Sequence, residues 1–130
     1  MDDSELDYIR TLCGEAMTGY TIKHYSEIKN ISLIADTQRA LVYPGELVTI
    51  NDVYYEKRYK LKTSDATEAA LNTGMKNLIV GTKKYNRRLT GVTQVAAMTY
   101  ITVVPGSQAY EEKNKRWNQD LFLDIVWSVT

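Results

Sequence analysis

From residue 116 the chain reads RWNQDLFLDIVWSVT, and alternate residues from Trp117 (Gln119, Leu121, Leu123, Ile125, Trp127, Val129) form a nearly unbroken apolar set. The other parity carries Asn118, Asp120, Phe122, Asp124, Val126 and Ser128. A period of two marks a β-strand, whose successive side chains point to opposite faces. One face therefore belongs in a core, and the other is mixed. A terminal segment frays unless something ties it down, so this strand is expected to be a paired member of a sheet.

Several stretches offer partners. Residues 53–62 alternate, with Val53, Tyr55, Tyr59 and Leu61 on one side and Tyr54, Glu56, Arg58, Lys60 and Lys62 on the other, as expected of a strand with one wet face. Residues 92–104 (VTQVAAMTYITVV) are rich in β-branched and aromatic residues and stop at Pro105-Gly106, which predicts a long strand ending there. The polar stretch 107–115 then joins it to the terminal strand in an antiparallel hairpin, because sequential strands usually pair. Residues 31–35, 40–43 and 46–50 also read as short strands. Pro44-Gly45 suits the two central positions of a type II turn between the last two.

Two helices complete the pattern. Leu6, Ile9, Cys13, Ala16, Met17 and Tyr20 recur at three- and four-residue steps behind a cap at Asp3 or Ser4, and Gly19 is the expected stop. Asp65 and Glu68 make a capping box for a second helix with Leu71, Met75, Leu78, Thr82 and Tyr85 on its apolar stripe and Ile79 widening it. Residues 20–30 fit a strand and a helix about equally. The expected fold is α+β: a single antiparallel sheet with two main helices on one face and a long C-terminal β-hairpin.

At 130 residues the chain matches one domain, 1–130. Sixteen basic and sixteen acidic residues cancel, so no global field draws it to nucleic acid or an acidic membrane. Ten tyrosines against one phenylalanine favour half-buried strands and wet interfaces. Cys13, the sole cysteine, lies on the apolar stripe and reads as a small core residue. The acidic start lacks a secretory pattern, and no apolar run approaches the ~20 residues of a membrane helix. A soluble protein of a reducing compartment, with no membrane partner, is the expectation.

Chemistry is sparse. His24 is the only histidine, which rules out a multi-histidine zinc site and leaves a Ser-His-Asp arrangement only this residue to use. The two glycines in GMKNLIVGTK are spaced wrongly for a phosphate loop. Asp120 and Asp124 share a parity and could chelate a cation with Glu111 or Glu112, although a solvated sheet face is the simpler account. Catalytic residues, metal ligands and cofactors are thus all expected to be none. The basic helix end Lys83, Lys84, Arg87 and Arg88 supports an alternative reading as a nucleic-acid-binding α+β domain, against the plainer reading as a solvated helix terminus. The stretch 105–117 is longer than a hairpin connection requires and mixes charge with aromatics. Tyr110, Glu111, Glu112, Lys113, Arg116 and Trp117 are therefore candidate interface residues. Phe122 and Val126 join them as apolar residues on the outer parity, to be covered by a second element or a neighbouring subunit.

From about residue 40 the order of elements resembles the tail-terminator and tail-completion (head–tail joining) proteins of long-tailed bacterial and archaeal viruses. The resemblance rests on the strand 53–62 leading into a helix from Ala66, on residues 92–104 with Pro105-Gly106, on the tip YEEKNK and on the ending RWNQDLFLDIVW. It implies a non-enzymatic virion protein, assembled in the host cytoplasm, that forms a homo-oligomeric ring, usually a hexamer. Such a ring ends tail-tube polymerisation or joins head to tail, with tail-tube or head–tail connector proteins as partners.

Overall fold

The computed structural model describes residues 3–50, 54–87 and 98–128, with side chains over 5–50, 54–83 and 100–127. In chain order it comprises α1 (Asp3–Ala16), β1 (Thr21–His24), a 3-10 turn (Ile31–Leu33), β2 (Arg39–Val42), β3 (Glu46–Ile50), β4 (Tyr54–Asp65), α2 (Glu68–Arg87), β5 (Met98–Glu111) and β6 (Arg116–Ser128). The six strands form one sheet in the order β1-β2-β4-β6-β5, with β3 pairing β4 beyond β2. Every pairing is antiparallel except β1 with β2. The α+β class and the C-terminal hairpin are as the sequence predicts.

The terminal strand lies at the heart of the sheet. β6 pairs with β4 from Tyr54↔Ser128 to Asp65↔Trp117 and with β5 on its other side. Its inner parity is fully covered, with Leu121, Leu123 and Ile125 at 0% exposure and Trp127 at 1%. These residues share one core with Leu6, Ile9 and Cys13 of α1, Met17 just beyond it, and Leu78 of α2. β4 alternates as predicted, with Tyr59 and Leu61 buried and Arg58 exposed. Gly19 ends the first helical segment at φ 96°, the left-handed region open to glycine. Within residues 20–30, ambiguous in sequence, Thr21–His24 form β1. Val53, residues 92–97 and Val129 lie outside the described residues, as do the side chains of Asp3, Ser4 and Tyr85.

Four local expectations are corrected. Residues 31–35 are not a strand: Asn30 accepts a bond from the Ser32 N–H at 3.0 Å and nucleates the 3-10 turn. A local side chain there outcompetes a sheet ladder, and Ile31 and Ile34 fold over Leu41 on the outer face. Pro44-Gly45 makes no tight turn, because β2 and β3 run on in one direction along the same edge of β4. Proline needs no ladder partner for its nitrogen, and a Cβ on Gly45 would meet the Tyr59 ring at 2.4 Å, so the glycine serves close approach. Pro105-Gly106 does not end β5, which carries the pair through as a register shift between Pro105 and Gln108. The connection therefore shrinks to residues 112–115, where Lys115 takes φ 52°. Finally, Thr67 caps α2 by accepting from the Ala70 N–H at 3.1 Å. Asp65, the predicted cap, closes β4 and accepts from Tyr20 Oη and Gln38 Nε2 at 2.7 and 3.1 Å.

One polar group crosses the core. The Tyr59 hydroxyl donates to the buried Glu5 carboxylate and accepts from Trp127 Nε1 at 2.9 Å. Lys57 Nζ donates to both Glu5 oxygens at 3.1 Å. Burial first, then Glu5, pushes the Tyr59 pKa up, so the phenol stays protonated and able to donate. Tyr59→Phe leaves Trp127 Nε1 without its acceptor and Glu5 with Lys57 but no hydroxyl donor; a loss of about 1–3 kcal/mol is expected by urea denaturation.

Candidate assembly surface

The outer face of the sheet is built from the second parity of β4 and β6. Arg58 makes a two-point ion pair with Asp124, Nε and Nη2 lying 2.7 and 2.8 Å from its two oxygens. Hydrogen bonding to Asp124 raises the Arg58 pKa. Lys60 lies 3.8 Å from Asp120. Both aspartates thus face cations across a strand pair. Among the described residues no three His, Cys, Asp or Glu side chains are grouped to hold a metal, and Glu111 bonds Asn114 and Asn118 at the far end of the hairpin.

Phe122 is half-buried, and its cover comes from its own chain. The Arg58 guanidinium stands 5.4 Å from its ring centroid, and the backbone of Gly106 presses so close that a Cβ would meet the ring at 2.9 Å. Val126 pairs in register with Glu56 and with Tyr100, which is exposed. Two open depressions flank this surface. One of 420 Å3 is lined by Tyr43, Pro44, Gly45, Glu46, Arg58, Lys60 and Phe122, and one of 310 Å3 by Thr49, Tyr54, Tyr55, Glu56 and Val126.

Both depressions border β3, which the sequence marks as a strand but not as an exposed edge. Its residues are all exposed, Leu47 at 56%, Val48 at 54% and Ile50 at 67%. Among the described strands β3 pairs only with β4. An exposed apolar edge strand without a charge between residues 47 and 50 is a template for pairing with another chain. Its apolar letters resemble any core strand, so no local signal marks it as an edge.

At the opposite margin lies β5, joined to β6 by the turn at residues 112–115. Tyr110 and Trp117 pack beside this turn with ring centroids 5.3 Å apart, while Glu111 accepts from Asn114 and Asn118 at 2.7 and 3.2 Å. Glu112 and Lys113 are exposed at the tip. Arg116 turns away from the tip, donating to Ser64 Oγ at 2.8 Å and to the Thr37 carbonyl. The sequence-derived interface residues therefore divide into a tip group and an outer-face group, with Arg116 in neither. Of the basic helix end, Lys83 is exposed; the side chains of Lys84 and Arg87, and Arg88 itself, lie outside the described residues.

His24 is buried on the inner face, not in a reactive cleft. Its Nε2 lies 3.1 Å from Glu27 and 3.6 Å from Asp7, and its Nδ1 meets Ser26 Oγ. Arg10 bonds both Asp7 and Glu27, so the group ties α1 to the turn after β1. Cys13 is buried, and burial pushes its thiol up to about 12, which keeps it protonated and inert. No helix among the described residues is long and apolar enough to cross a membrane. No family model and no curated protein matches the chain.

Two outcomes are expected. Millimolar Mg2+ or Ca2+ leaves the melting temperature unchanged, because the aspartates face cations already. Lys115→Gly raises stability by roughly 0.5–1 kcal/mol in denaturant titrations, since glycine takes the left-handed conformation without the clash of a Cβ.

Proposed function

We propose that this chain is a structural assembly protein of a virus tail or head–tail junction, forming a ring that ends tail-tube polymerisation or joins head to tail. The observation that carries the reading is the apolar edge of β3, which no other described strand covers, set at the opposite margin of the sheet from β5 and its turn. A closed ring needs a head-to-tail contact between two different surfaces of one subunit. An edge strand uncovered among the described residues and a hairpin turn with Tyr110 and Trp117 beside it supply two such surfaces. The order of helix, strands, helix and hairpin agrees with the family whose pattern the chain resembles. Zero net charge leaves short-range shape and pairing to specify the contact.

Mass measurement and electron imaging at micromolar concentration test the proposal. A discrete ring, six-fold by the resemblance, is expected, alone or on tail tubes. Val48→Lys places a charge on the pairing edge and is expected to release folded monomers, checked by circular dichroism. A strict monomer that associates with neither tubes nor connectors overturns the reading.

A further inference from the structure

The two margins of the sheet each hold a strand with one partner among the described strands: β3 pairs only with β4, and β5 only with β6. Every residue of β3 is exposed, and residues 47–50 carry no charge. On β5, residues 108–110 lie past the register shift at Pro105 and are also uncharged, with Ala109 and Tyr110 exposed. An uncharged edge without a second neighbour is a template for a further strand.

The two edges agree in face and in direction. Residues directly opposed in a ladder share a face of the sheet. Leu47 and Ile50 stand opposite Lys57 and Tyr55 on the helix-bearing face, where Gln108 and Tyr110 stand opposite Gln119 and Trp117. Glu46 and Thr49 stand opposite Arg58 and Glu56 on the outer face, where Ala109 and Glu111 stand opposite Asn118 and Arg116. β3 is antiparallel to β4, β4 to β6 and β6 to β5, so β3 and β5 run in opposite directions. Rotation about an axis lying along the strands preserves those directions. In such a ring β3 of one subunit meets β5 of the next as an antiparallel pair.

We infer that the ring contact is a β-ladder between β3 of one subunit and residues 108–111 of β5 in the next, an inference that rests on the assembly reading and names its partner strand. One register keeps the faces matched along β3 while clearing both the shift at Pro105 and the turn at residues 112–115. It sets Leu47 opposite Tyr110 and Ile50 opposite Gln108 on the helix side, and Thr49 opposite Ala109 and Glu46 opposite Glu111 on the outer side. Val48 is the extra residue, as it already is in the β3–β4 pairing, whose register shifts between Leu47 and Thr49. Tyr110 thereby meets Leu47, which is 56% exposed in the single chain. The two glutamates meet at the end of the ladder, where each has an arginine opposite it in its own subunit, Arg58 and Arg116.

Hydrogen exchange and disulfide trapping on the full chain test the pairing. Amides of residues 46–50 and 108–111 are expected to exchange at least about tenfold more slowly in the assembled wild type than in the monomer reached by dilution or by Val48→Lys. Opposed Cα atoms in an antiparallel ladder lie about 4.5–5.5 Å apart, within reach of a disulfide. Under mild oxidation Thr49→Cys/Ala109→Cys is therefore expected to link into multimers up to the size of the ring. Each single variant alone is expected to stay unlinked, and an equal mixture of the two to give dimers. The pairing is overturned, with the ring reading intact, if rings form while the double variant gives no link or while either segment exchanges as fast as in the monomer. Self-linking of Thr49→Cys alone also overturns it, because that marks a two-fold contact between two β3 strands. Absence of any oligomer overturns both the pairing and the ring. Should the double variant fail to fold, the exchange comparison on the wild type decides.

Discussion

The register of β4 against β6 is the constraint on which the rest of the structure depends. These two strands are paired from Tyr54↔Ser128 to Asp65↔Trp117, and each has a further strand on its other side. A slip of one residue would turn every side chain to the opposite face, putting Arg58, Lys60 and Asp124 under the helices and Tyr59, Leu123 and Ile125 into water. The apolar parity prevents that. The same register also lines up the outer face, since Arg58↔Asp124 and Lys62↔Asp120 follow from it without further specification.

Hydrophobic parity alone does not say how the helices sit on the sheet. The buried bonds of Tyr59 help to do so, because Glu5 belongs to α1, Tyr59 to β4 and Trp127 to β6. A buried carboxylate unpaired costs several kcal/mol, so packing arrangements that separate Glu5 from Tyr59 and Lys57 are disfavoured. One to two turns further along α1, Asp7 and Arg10 make a second tie with Glu27 and His24. Glycine at position 45 belongs to the same design, since the Tyr59 ring lies where a side chain would be.

The surface has a different logic. The outer face is largely self-satisfied: its charges are paired, and Phe122 is sheltered by Arg58 and Gly106. What remains unsatisfied is β3, whose backbone edge and apolar side chains have no cover among the described residues. Such an edge is met by another strand.

Much of this was legible in the amino-acid order. The parity of β6, the alternation of β4 and the stripes of both helices are local periodicities, and each is enough to define an element and its buried face. The class of fold followed from their sequence, and Gly19 as a stop followed from the backbone freedom of glycine. Tertiary structure alone decided what Pro44-Gly45 and Pro105-Gly106 do, because a proline–glycine pair ends a strand or bends it according to whether the neighbouring strand continues alongside. It alone decided that the apolar run at residues 47–50 is an exposed edge and the one at 121–127 a core, since edge and centre differ only in having a strand on the second side. And it alone brought Arg39 and Arg116, remote in sequence, to one serine, because non-local register has no local signature.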